Sequence, residues 1–185
     1  SLTAPVLAAD DLAFLQYTGG TTGISKGAML QHRRILSNVE QLLSSTGNTV
    51  RAGQEVAIAP LPFYHILALV LNCMMFVRGG GLQILIANPR DIPNLVKTLG
   101  ANRFTFFVGV NTLFNALIHN EAFAKVDFSN LRMAGGGGAP VQLAVAKRWK
   151  EITGRVLSEG YGLTETSGAV SINRADIDEH TGTTG

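Results

Sequence analysis

The sequence predicts an α/β chain whose strands and helices alternate around a mainly parallel sheet. Three observations predict it. Short apolar runs recur along the 185 residues, most of them followed by glycine- or proline-rich stretches. Between them, apolar residues return at helical spacing. Hydrophobic residues make up 46% and charged residues 15%, which asks for extensive burial or for surfaces covered by neighbouring parts.

In order, Leu12 to Tyr17 reads as a buried strand and Gly27 to Leu30 as a short one. Ile35, Val39, Leu42 and Leu43 predict a helix from about His32 to Ser45, ended by Gly47 and Asn48, with His32 as a structural or capping residue. Glu55 to Ala59 is the next strand. It runs into a stiff turn at Pro60 and Pro62. Ile66 to Val77 reads as a core helix, because twelve residues fall short of the roughly 20 that span a bilayer. A strand over Leu82 to Ala87 and an amphipathic helix over Ile92 to Leu99, opened by Asp91 and Pro93, follow. Phe104 to Val108 is a strand, and Asn111 is suited to cap a helix over Thr112 to His119. Leu131 to Ala134 is a short strand. Pro140 is placed as the first residue of a helix that Gly154 stops near Thr153. Val156 to Glu159 closes the series, and no element is clear after Ser171.

Charge and cysteine content exclude some classes. A net charge of +2 without a long basic run gives no nucleic-acid footprint. The single Cys73 excludes an internal disulfide framework and reads as a buried thiol, which suits a cytoplasmic setting. Ser1 to Pro5 lacks the basic and apolar regions of a signal peptide. Peripheral membrane contact, at the inner membrane face, stays open, as does oligomeric state. The four histidines and Cys73 show no metal-ligand spacing.

Chemistry concentrates in Tyr17-Thr18-Gly19-Gly20-Thr21-Thr22-Gly23-Ile24-Ser25-Lys26-Gly27. Glycines let a backbone approach a ligand closely, and successive N–H groups in such a turn form an anion-binding concavity. Hydroxyls add donors and Lys26 a mobile positive charge, so a polyphosphate suits the stretch. The P-loop spacing fails, because Lys26 is followed by Gly27, and the dinucleotide fingerprint fails as well. Composition alone leaves a flexible surface connector equally open. Pro60 to His65, Gly135 to Pro140 and Gly160 to Glu165 also follow strands, where ligands collect in open parallel sheets.

The glycine string resembles the phosphate-binding signature of the adenylate-forming enzymes, with Ser25 where that family usually has proline. Gly160-Tyr161-Gly162-Leu163-Thr164-Glu165 resembles a second core signature, Leu61-Pro62-Phe63-Tyr64-His65 a third, and the segment Gly135 to Pro140 a fourth. Asn88 to Pro93 and Gly109 to Leu117 resemble bacterial long-chain fatty acid–CoA ligases.

The resemblance implies ATP, Mg²⁺ and coenzyme A as cofactors and co-substrates, and a long-chain fatty acid as the acid activated. It implies that Thr18, Gly19, Gly20, Thr21, Thr22, Gly23 and Lys26 hold ATP phosphates. Gly135, Gly136 and Gly137 would approach the adenine, against which Tyr161 stacks, with Gly162 and Thr164 beside the nucleotide. Lys26, Thr164 and Glu165 would take part in the chemistry, with Glu165 as the metal ligand. His65, Val110, Asn111 and Gly138 would border the acyl substrate. Read from local chemistry alone, His65 is a satisfied turn histidine, and for Val110 and Asn111 a place in an apolar core helix is as open as one lining the acyl site. The resemblance further implies a central segment, residues 1–185, of the large domain, without the ribose-binding aspartate, the hinge and the C-terminal domain with its catalytic lysine. On that reading the segment alone is inactive. Activation of a different carboxylic acid, and a non-catalytic nucleotide-binding domain, are the competing readings.

Overall fold

The computed structural model describes residues 5–18, 25–47 and 49–185. β1 (Leu12–Thr18) and β2 (Lys26–Gln31) pair antiparallel, with Thr18 opposite Lys26, and form a two-stranded sheet of their own. The expected buried strand at Leu12 to Tyr17 is therefore corrected. Side chains alternate across a strand: Phe14 packs against the core, while Leu15 and Tyr17 face outward, 51% and 64% exposed. β2 leads directly into α1 (His32–Ser45), which has the expected bounds. His32 does not cap it. Gln31 holds the cap position, and the His32 N–H donates to the Asp11 carbonyl.

The main sheet has six strands in the order β4-β3-β5-β6-β7-β8. β3 (Val56–Ala59), β4 (Leu82–Leu85), β5 (Phe106–Gly109), β6 (Met133–Gly136) and β7 (Leu157–Leu163) run parallel. β8 (Gly168–Ile172) closes one edge antiparallel to β7. Helices cover both faces, and the strand residues divide by parity. Ala57, Phe106, Val108 and Met133 face the layer of α1 and the 66–79 helical run. Ile58, Phe107 and Ala134 face α4 (Ile92–Ala101), α5 (Asn111–Ile118) and α6 (Leu143–Thr153). That second layer centres on Trp149, stacked 5.8 Å from Phe107 and edge-on to Phe114 at 5.0 Å.

Several elements depart from their expected form. The core helix is one helical run built of α2 (Ile66–Ala68), a π-helical stretch (Leu69–Met74) and α3 (Met75–Gly79). Cys73 lies in its wide turn and is half-buried rather than buried. Asn111 is the first helical residue of α5, not its cap, which is Val110. α6 starts three residues beyond Pro140, because the chain stays extended through Gln142 and the Val141 side chain packs against Gly136. β7 continues through Gly160-Tyr161-Gly162-Leu163, read from sequence as a loop. Glycine explains the extension: a Cβ at Gly162 would fall 2.1 Å from the Gly168 carbonyl oxygen, so β8 can approach only a bare backbone.

Candidate functional site

A cleft of about 580 Å³, counting its open mouth, lies along the carboxyl end of the sheet. Its floor is Val108 on β5, Met133 and Gly135 on β6, and Gly160 on β7. The helical run from His65 to Leu71 forms one wall, and Tyr161 with β8 forms the other. The carboxyl ends of β5, β6 and β7 meet there, whereas the stretch after β1 belongs to the separate hairpin.

Glycine gives the cleft its shape. Gly135 and Gly160 present bare backbone to it. A Cβ at Gly136 would fall 2.7 Å from Val141 Cγ2, and one at Gly137 would press on Leu67 at 3.4 Å. Gly138 has φ of +78°, a left-handed conformation that favours glycine. The result is a flat slot beside the half-exposed Tyr161 ring, which suits a planar aromatic ligand.

Of the expected site residues, His65, Gly135, Gly136, Gly138, Tyr161 and Gly162 line this cleft together. His65 also caps α2: its Nδ1 accepts the Leu67 N–H at 3.3 Å, so the turn-histidine role and a place at the cleft coexist. Thr164 and Glu165 form a short 3₁₀ turn between β7 and β8. Glu165 is exposed and opens onto a separate polar cleft beside Arg33, Arg34 and Asn38 of α1. β2, which begins with the exposed Lys26, packs against that turn. Thr18 Oγ1 donates to the Lys26 carbonyl at 3.3 Å. Gly19, Gly20, Thr21, Thr22 and Gly23 lie outside the described residues. Val110 lines a further open cleft with Leu61, Arg90 and Leu113, and Asn111 lies beside it at the start of α5.

Among the described residues no group of three or more His, Cys, Asp and Glu could hold a metal ion. A lone exposed carboxylate at Glu165 still fits Mg²⁺, which keeps waters and substrate phosphates in most of its positions. The resolved titration shifts fall on groups that do not line the main cleft. Asp127 is held below the usual carboxylate range, first by the Ser129 backbone N–H. Asp176 is held low by Arg174, which grips it through two nitrogens at 2.8 and 2.6 Å.

Sequence reasoning missed Asn38. Buried at 5% exposure, it donates to the Ala169 carbonyl at 2.7 Å and accepts the Ala169 N–H at 3.0 Å. It thus joins α1 to β8 as an added strand would. A polar residue within the apolar stripe Ile35, Val39, Leu42 was the available signal.

The fold is an open, mainly parallel α/β domain with a slot of bare glycine backbone at the carboxyl ends of its strands. The model of the AMP-binding enzyme family matches residues 2–185, and the chain belongs to that family. The long-chain-fatty-acid–CoA ligase of Salmonella typhimurium is 55% identical over 181 residues, 98% of this chain and 32% of that protein. The Haemophilus influenzae ligase of the same name is 48% identical over 183 residues, 98% of this chain and 33% of that protein. ATP-bound MatB from Rhodopseudomonas palustris superposes with a TM-score of 0.80 at 30% identity, over 96% of this chain and 34% of MatB. A malonyl-CoA ligase carrying methylmalonyl-CoA and AMP superposes with a TM-score of 0.84 at 27% identity, over 96% of this chain and 38% of that one. The chain thus spans about a third of the length of these relatives. No helix among the described residues is long and apolar enough to cross a membrane.

Proposed function

We propose that this chain is a central segment of the large domain of a long-chain fatty acid–CoA ligase. The observation that carries the reading is a slot of bare glycine backbone beside Tyr161, in a chain 55% identical to such ligases across almost its whole length. In this reading the fatty acid carboxylate attacks the α-phosphorus of ATP. The bond to pyrophosphate breaks and an acyl-adenylate forms. The coenzyme A thiol then attacks the acyl carbon and AMP leaves. In this reading the reaction runs in the cytoplasm.

This chain's residues act mainly by positioning and charge neutralisation. Gly135, Gly136 and Gly137 take the adenine edge-on, and Tyr161 covers its face, with Gly162 giving the backbone room beside it. The hydroxyl of Thr164 donates toward the α-phosphate. Thr18, Gly19, Gly20, Thr21, Thr22, Gly23 and Lys26 hold the leaving pyrophosphate. Glu165 would hold Mg²⁺, which when bound offsets phosphate charge. His65 and Gly138 border the acyl group, and Leu67 and Leu71 on the helical wall add apolar surface for it. Val110 opens onto the neighbouring cleft, on the acyl side.

The test is acid-dependent ATP–pyrophosphate exchange by the complete protein that contains this chain. Exchange driven by long-chain fatty acids, with little from aryl or amino acids, is the expected result. Exchange only with another acid moves the substrate and keeps the reaction. A folded protein that exchanges with no acid makes this a non-catalytic nucleotide-binding domain.

A further inference from the structure

We propose that Glu159 and Asn111 are positioning residues that anchor the adenine-facing loop from behind, a role that rests on the reading of that loop given above. The loop leaves β6 at Gly136 and enters α6 at Leu143. Its front lines the cleft through Gly135, Gly136 and Gly138. Its exit is pinned by two successive backbone donors. The Val141 N–H donates to Glu159 Oε1 at 2.7 Å, and the Gln142 N–H donates to Asn111 Oδ1 at 3.0 Å. Both donors precede α6, where Gln142 provides no side-chain cap of its own. A carboxylate at that helix start also suits the helix dipole.

Glu159 reaches the loop from the far side of the sheet. Side chains alternate along β7, so Ser158 and Gly160 line the cleft while Glu159 points the other way. It is 5% exposed. Its second oxygen lies 3.3 Å from Nε2 of His180, whose side chain is 6% exposed. His180 thereby ties the segment after β8 to the same carboxylate. The anchor lies directly behind the slot: a Cβ built on Gly136 would come within 2.7 Å of Val141 Cγ2, so the Val141 side chain backs the bare-backbone edge that faces the base. A Leu at 159 fills similar space without an acceptor, whereas Gln keeps an oxygen for Val141. In this assignment Asn111 acts through the loop rather than by touching the acyl chain.

The experiment compares Glu159→Leu, Glu159→Gln and Asn111→Ala in the complete protein. Misplacement of a binding edge by a fraction of an ångström is expected to raise KM for ATP about tenfold in Glu159→Leu. The same variant should leave KM for the fatty acid within about twofold, and Glu159→Gln should restore most of the ATP affinity. Asn111, half-buried at the start of α5, gives a variant that does not threaten the core, with a rise in KM for ATP of about threefold. Unchanged KM for ATP in both Glu159→Leu and Asn111→Ala overturns the assignment, as does an equal loss in the Leu and Gln variants. Backbone amide exchange at Val141 and Gln142 reads the anchoring independently of activity. Faster exchange at Val141 in Glu159→Leu than in Glu159→Gln supports it, and equal protection overturns it. A wild-type protein that supports no pyrophosphate exchange removes the ligase reading instead, and leaves the anchor to be judged on the amides.

Discussion

Asn38 sits where the stripe of α1 asks for a hydrophobe, and it is buried there with both polar atoms of its amide engaged. Replacing it with Leu would leave the Ala169 N–H and carbonyl without their partner. An unsatisfied buried group costs about 1–3 kcal/mol, so Asn38→Leu should lower the urea midpoint by that equivalent. An unchanged midpoint would show that water takes over both groups. Glu165 makes the opposite case. It is exposed on its turn, so Glu165→Ala in the complete protein should shift stability by no more than about 0.5 kcal/mol. If the carboxylate holds the metal at the developing phosphate charge, pyrophosphate exchange should fall about a hundredfold. Exchange at the normal rate would remove the metal role. Neither behaviour is visible in residue type alone. One depends on a partner 131 positions away and the other on exposure.

At the scale of elements, what depends on local chemistry was legible. The stripe of α1, the Asp91 cap that accepts the Asn94 N–H at 3.1 Å, and the Gly154 stop all follow from a few neighbouring residues. Gly154 has φ of +70° with nothing within 4 Å of a Cβ, so Gly154→Ala isolates the backbone cost. A loss of about 1 kcal/mol in thermal unfolding is expected, with less for Asn, which tolerates that conformation. Equal stability in the Ala variant would mean that the helix end relaxes freely. What depends on distant partners was not legible. The apolar run at Leu12 looked like a buried strand because the run does not say what it pairs with. Its partner is β2, in a separate hairpin. Gly160 and Gly162 looked like loop residues because glycine is ambiguous between a turn and a close backbone approach, and here β8 makes the approach. Pro140 looked like a helix start because its sequence could not show that Glu159 holds the next N–H. The main cleft was legible as a set of strings, and Val110 and Asn111 fell beside it because the strings carry no distances.

At the scale of the whole molecule, the apolar surface is unevenly placed. Leu15 and Met29 on the hairpin are 51% and 72% exposed, and Leu82 and Leu85 on the edge strand β4 are 59% and 63% exposed. An open, apolar edge strand is a template for pairing with another chain, and patches of this kind are normally covered. The chain spans about a third of the length of its ligase relatives. If the remainder of such a protein covers these faces, the 185 residues alone should self-associate and bind an apolar dye more strongly than the complete protein. Leu82→Lys with Leu85→Lys should then raise the monomer fraction of the isolated chain, because charge on an edge blocks strand addition. The same isolated chain should support no fatty-acid-dependent pyrophosphate exchange. Electrostatic preorganisation at the reacting phosphate needs every charged group in place at once. A monodisperse isolated chain that forms acyl-CoA would show instead that the slot, Lys26 and the Glu165 turn are sufficient, and that the exposed leucines serve some purpose other than seating the rest of the enzyme.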